Sequence, residues 1–370
     1  MPTPFSEVLA DRHQTVKRYR RPGQKVIAWL CSYFPEEIVY AAGMYPVRMM
    51  GGSGETTTAD AHLYTNMCSL VRSCLEEGFK GAYDYLDGFV TLNTCDHIRR
   101  LYDVWGPSQK TVFNYVIPLP HTISDASLAY FHHELGRFKE AIEAAFGVNI
   151  TAEAMEEAIR VYNRTRTLLH RLNDLRKLDE PPITGAEFLE AVVAGTILPK
   201  DVYNLMLEQY LLEVEFRPGI PTGEKIRLLL VGSEMDDPEY VRMIEDMGGL
   251  VVADELCTGT KYFWNLAEAD GDPLMSIARR YLTRPECPRM RPASKRLAHM
   301  KDMMKEHKVD AVVMEVIKFC NLHGEDYTIV RNYLRRLGVP LLQLSREYNI
   351  GAVGQMRTRV EAFFERIWGA

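Results

Sequence analysis

Seven cysteines are spread along the 370-residue chain, and four of them close an apolar run. Cys31 ends "KVIAWLC", Cys95 ends "LDGFVTLNTC", Cys257 ends "LVVADELC" and Cys320 ends "VDAVVMEVIKFC". Each run reads as a buried strand, and a helical pattern opens close behind it. A thiol at such a junction meets free backbone N–H groups and the positive end of a helix dipole. That setting favours thiolate, the form that binds metal. Cys68, in "NMCSLVRS", sits inside a segment with helical spacing, and it joins Cys95 and Cys320 as a candidate ligand if that helix borders the same cleft.

Taken singly, a strand-end cysteine is more often a buried structural residue. Four together favour a metal or redox site. No C-x-x-C pair occurs, which weakens a structural zinc site, whose ligands come in close pairs. Cys74 follows Cys68 by six residues, about 120° around a helix of 3.6 residues per turn, and reads as core filler. His97 and His323 lie just after Cys95 and Cys320 and could donate protons there, although capping or surface roles are commoner for such residues. Arg48, Glu55 and Arg99 fall in or beside cleft loops, where a solvated or salt-bridged role competes with a functional one.

The elements that must position these residues follow from the pattern. The first third alternates strand-like and helix-like segments. A helix opens at "PEEIVYAAGM", with Pro35 in its first turn and Glu36 and Glu37 beside its positive end. "ADAHLYTNMCSLVRSCLEEGF" reads as one helix, and "DHIRRLYDVWG" as a helix ending at Gly106. From about 124 to 215 only amphipathic helices appear. "FRPGIPTGEK" is a linker, and the strand–helix alternation then resumes. The expected organisation is an N-terminal α/β domain over 1–123, a helical connecting region over 124–215 and a C-terminal α/β domain over 216–370. Strands alternating with helices imply parallel sheets, so the fold class is α/β with two doubly wound domains facing each other. Ligands in such sheets sit outside the carboxyl ends of the strands, where the cysteines are. The halves are not an evident sequence repeat.

Other classes are excluded or weakened. A net charge of −6 and no basic stripe argue against nucleic-acid binding, and "KRYRRPGQK" reads as a solvated N-terminal segment. No apolar run approaches the roughly 20 residues of a membrane span, and no secretory h-region is evident, so a cytoplasmic location is expected. "GGSGETTT" lacks the lysine and spacing of a P-loop, and neither G-x-G-x-x-G after a strand nor G-x-S-x-G occurs.

The segments "KVIAWLCSYFPEEIVYAAGMYPVR", "NMCSLVRSCLEEG", "LNTCDHIRRLYD", "ADELCTGTKYFW", "KFCNLHGED" and "GQMRTRVEAFFE" resemble the 2-hydroxyacyl-CoA dehydratase and benzoyl-CoA reductase iron–sulfur subunits over nearly the whole chain. The resemblance implies two Rossmann-like domains with a [4Fe–4S] cluster between them. Carried over by motif, its ligands are Cys68, Cys95 and Cys320, the set the cleft argument reached. It also implies a separate ATP-hydrolysing iron–sulfur activator that passes one electron to this cluster. In the dehydratases the electron makes a ketyl radical of the acyl-CoA substrate, which expels its 2-hydroxyl group; in the reductases electrons enter the benzoyl ring. A related second subunit completes such enzymes. Cys31, Cys257 and Cys287 ("RPECPRM") resemble the extra ligands of a second branch, the double-cubane proteins. Those are homodimers that hold an [8Fe–9S] double-cubane cluster on six cysteines and reduce small molecules. The match departs at Cys287, which lacks a neighbouring cysteine. A non-catalytic electron-transfer partner or zinc-stabilised scaffold is the remaining alternative, and no catalytic residue is assigned.

Overall fold

The structure, a computed structural model, describes residues 3–268, 271–348 and 353–369. Two short helices, α1 (Ser6–Ala10) and α2 (Arg12–Tyr19), precede the first α/β unit. That unit contains β1 (Val26–Leu30), α3 (Glu36–Ala41), β2 (Tyr45–Arg48), α4 (Ser69–Phe79), β3 (Gly88–Leu92), α5 (Asp96–Ser108) and β4 (Phe113–Ile117). Its four strands are parallel in the order β2-β1-β3-β4. β1, β2 and β3 are buried along their whole length, as expected of strands covered on both faces.

Four helices follow: α6 (Asp125–Phe146), α7 (Ala152–Leu175), α8 (Gly185–Ala194) and α9 (Lys200–Glu215). Their starts are readable in the sequence. Ser124, Thr151 and Thr184 each accept a backbone N–H three residues on, and Thr184 forms a reciprocal capping box with Glu187. The second unit contains β5 (Ile226–Gly232), α10 (Pro238–Asp246), β6 (Gly249–Glu255), α11 (Thr260–Phe263), α12 (Pro273–Thr283), α13 (Ser294–Glu306), β7 (Ala311–Ile317), α14 (Asn321–Leu337), β8 (Leu341–Arg346) and α15 (Val353–Trp368). Its parallel order is β6-β5-β7-β8, the same permutation as the first sheet. The helical block packs on both units: α7 against α3, α6 against α12, and α8 against α10 and β6.

In each sheet the switch point lies between the two middle strands, whose onward connections leave in opposite directions. A crevice forms there, outside the strand ends. Strand β5 reaches that end through Gly232, at φ +130°, where an added Cβ would overlap the Glu315 carbonyl oxygen. A Gly232→Ala substitution combines a disfavoured backbone with that overlap. It is expected to destabilise the protein by roughly 2–4 kcal/mol in a denaturant titration.

Two local expectations are corrected. Cys68 is not inside a helix: α4 starts at Ser69 and Cys68 is its N-cap, while 59–61 form one 3-10 turn. Tertiary bonds hold that loop, with Ala59 N–H donating to Glu76 at 2.8 Å and Arg72 to Asp60 at 2.8 Å. Helix α5 runs past Gly106 to Ser108 with Pro107 in its last turn, and Gln109 N–H closes the end on the Trp105 carbonyl at 2.9 Å. The basic N-terminal stretch is mostly exposed, as expected, although Arg20 and Lys25 both pair with Asp87. Glu36 and Glu37 stand in the first turn of α3, as expected, and both are buried and ion-paired.

Candidate metal centre

Cys95 and Cys320 occupy matching places in the two units, each three residues beyond the third strand. Cys95 is the N-cap of α5, its Sγ accepting the Ile98 N–H at 3.4 Å. Cys320 is the N-cap of α14, its carbonyl accepting the Gly324 N–H at 2.8 Å. With Cys68 capping α4, all three thiols stand at helix N-termini, where unsatisfied N–H groups and the helix dipole stabilise negative charge. His97 accepts the Cys68 backbone N–H through Nδ1 at 3.1 Å, so it positions the Cys68 loop.

Cys31, Cys257 and Cys287 lie in loops instead. Cys31 is the first residue after β1 and takes a left-handed backbone, φ +90°. Phe319, beside Cys320, does the same at φ +65°. Non-glycine residues held in this region concentrate at functional sites. Cys257 follows β6, and Cys287, between α12 and α13, donates its N–H to the Tyr33 hydroxyl at 3.2 Å.

The six thiols form one electrostatic group spanning both units. Cys95 is within reach of Cys68, Cys320 and Cys31, Cys68 of Cys320, and Cys320 of Cys257. Cys31 is within reach of Cys257, and Cys287 of Cys257 and Cys31. Burial pushes the Cys68 and Cys287 thiols up to about 12. It raises Cys31, Cys95 and Cys320 as well, and neighbouring thiols add to the shift. Thiols so placed are protonated at neutral pH until a cation displaces the proton. Soft sulfur donors of this kind suit iron–sulfur clusters, copper(I) and zinc. Among the described residues, no three His, Cys, Asp or Glu side chains converge on a single-ion position. Thiolates around a multi-iron cluster each meet a different iron and need not converge so closely.

The remaining sequence candidates divide. Cys74 is fully buried, with Asp236 and Arg12 acting on it. His323 is buried and its pKa is driven well down by burial, with Lys261 and Arg296 adding to the effect. Arg48 is buried in the cleft, Glu55 is exposed on the rim of a cavity and Arg99 is exposed. That cavity, about 1030 Å³, was not foreseen. It runs between the units from Ser69, next to Cys68, past Gly51, Arg12 and Asp236, and its volume is in the range of small-molecule sites. Tyr348 closes one wall, donating to Asp236 at 2.5 Å and accepting the Gly51 N–H at 3.0 Å. The residues forming it are far apart in sequence, and only "GGSGETTT" hinted at a close approach of backbone.

Two parallel α/β units with thiols grouped between their strand ends define a two-domain α/β protein with an interdomain thiol centre. The chain belongs to the family described as 2-hydroxyglutaryl-CoA dehydratase, D-component, which matches residues 31–367. It is 29% identical to YjiM of Escherichia coli (strain K12), which carries the name of a dehydratase subunit, across 98% of this chain and 97% of that protein. It is 25% identical to the (R)-phenyllactyl-CoA dehydratase beta subunit of Clostridium sporogenes, with the same coverage. It is also 29% identical to a benzoyl-CoA reductase subunit of Thauera aromatica, over 70% of this chain and 69% of that one. The family thus joins dehydratase and benzoyl-CoA reductase subunits. No helix among the described residues is long and apolar enough to cross a membrane.

Proposed function

We propose that this chain is the iron–sulfur subunit of an ATP-dependent enzyme acting on a CoA thioester, by 2-hydroxyacyl-CoA dehydration or benzoyl-CoA-type reduction. The observation that carries the reading is the gathering of Cys68, Cys95 and Cys320 from both units, each at a helix N-terminus. When bound there, a [4Fe–4S] cluster supplies low-potential one-electron chemistry. The chain's own residues do the rest. Three helix ends favour the thiolates, burial excludes water, and His97 fixes the Cys68 loop. The cavity beside Ser69 is the space between the units for a bound small molecule, lined by both arginine and carboxylate side chains. The absence of a P-loop in the sequence agrees with ATP hydrolysis on a separate activator. A second subunit is proposed because the relatives are themselves named as single subunits of their enzymes.

A second reading is favoured by one observation: Cys31, Cys257 and Cys287 adjoin the first three thiols instead of being scattered. Six thiols in one group suit an [8Fe–9S] double-cubane cluster. Iron and acid-labile sulfide per chain, measured on anaerobically prepared protein, separate the readings. About four irons support the three-cysteine cluster and about eight the six-cysteine one. No iron after reconstitution would sink both.

A further inference from the structure

Arg48 and Arg284 are each 1% exposed and come from different units. Arg48 ends β2, lies 4.9 Å from the Trp29 ring centre and pairs through Nη2 with Glu234 at 2.5 Å. Its Nε and Nη1 are buried and have no hydrogen-bond partner among the described residues. Arg284 lies 4.0 Å over the Tyr33 ring. Its terminal nitrogens donate to neutral oxygens, the Lys261 carbonyl at 2.8 Å and the Ser32 hydroxyl at 2.9 Å, while its Nε is also buried and unpartnered.

Both guanidinium groups lie against residues that neighbour Cys31 in the chain. Arg48 sits over Trp29, two residues before Cys31, while Arg284 donates to Ser32, the next residue, and covers Tyr33, whose hydroxyl accepts the Cys287 N–H. Arg48 is within electrostatic reach of Cys257 and Cys31, and Arg284 of Cys31. Lys261, also 1% exposed, acts on Cys287. The two trios differ in setting: Cys68, Cys95 and Cys320 are helix N-caps, whereas Cys31 and Cys287 lie in loops beside the buried Arg48 and Arg284. A buried guanidinium with unpaired N–H groups is unfavourable unless an anionic acceptor meets it.

We infer that Arg48 and Arg284 are positioning residues for the group held by Cys31, Cys257 and Cys287, donating hydrogen bonds to it and raising its reduction potential. This rests on the six-thiol reading. One-electron reduction adds one negative charge and breaks no bond, and nearby cations stabilise that added charge.

The test is a redox titration of reconstituted protein with titanium(III) citrate, which is oxidised to titanium(IV), followed spectroscopically beside iron content. Arg48→Gln and Arg284→Gln should each weaken reduction of the same spectroscopic feature about tenfold, a fall of about 59 mV for one electron, with iron unchanged. Glu234→Gln removes an anion from the same contact and should raise the potential. A purely structural brace would shift Arg48→Gln and Glu234→Gln alike. Arg48→Lys, which keeps the charge, covers the case in which the glutamine variant does not fold. Unchanged potentials at unchanged iron overturn the inference alone. About four irons in the wild type overturn the six-thiol reading and the inference with it.

Discussion

Replacing Cys320 by alanine is expected to reduce bound iron to below roughly one per chain, because it removes the second unit's share of the three-thiol set. Cys95→Ala should do the same from the first unit. The two positions are equivalent in their sheets, so neither can stand in for the other. Cys74→Ala is the control. That thiol is fully buried in the core, and its loss should leave iron content unchanged. Its effect should be confined to stability, at about 1 kcal/mol for a small lost side chain. The measurement is iron and sulfide per chain with the charge-transfer absorption of the bound cluster. Full iron in both Cys95→Ala and Cys320→Ala would remove the basis for a cluster between the units.

The largest stability effect is expected at Arg166. Its Nη2 pairs with Glu37, which also accepts from the Tyr281 hydroxyl at 2.9 Å. Next to it Lys200 lies 3.5 Å from Glu36, which accepts from the Tyr262 hydroxyl at 2.7 Å. These groups come from α3, α7, α9, α11 and α12, so one buried network joins both units to the helical block. Arg166→Met leaves the Glu37 charge buried and unpaired. That should cost about 3–5 kcal/mol in a chemical denaturation experiment. The double variant Glu37→Leu with Arg166→Met should recover most of it, because an apolar pair of similar volume carries no desolvation penalty. A double variant as unstable as the single one would mean that packing around α3, not charge, dominates the site.

The strand-end cysteines were legible because parallel strands covered on both faces are near-continuous apolar runs, "VIAWL" and "AVVMEVI" among them, with clear ends. The fold class followed from the alternation of such runs with helical spacing. Cys68 was misjudged for a local reason. "ADAHLYTN" has no proline or glycine to mark a break, and bonds from Glu76 and Arg72 hold it in a loop. The burial and pairing of Glu36 and Glu37 could not be read locally because their partners, Arg166 and Lys200, lie far along the chain. The same distance hid the cations at Cys31 and Cys257. Arg48 could be named from its cleft position, but nothing local marked Arg284 or Lys261. The repeated strand order was equally hidden, since the halves share topology without evident sequence likeness.

The repeated permutation has a consequence for biosynthesis. All four strands of the first sheet lie between Val26 and Ile117, so it can form while the remainder of the chain is still being made. Cys31, Cys68 and Cys95 then stand at an open crevice until the second unit supplies Cys257 and Cys320, 162 and 225 residues after Cys95. During that interval the thiols have neither their partner unit nor its cations to shield them. Loading of the proposed cluster would then wait for Cys320 to emerge, and oxidation of the half-made crevice would compete with it. Oxygen exposure should harm the nascent protein more than the finished one.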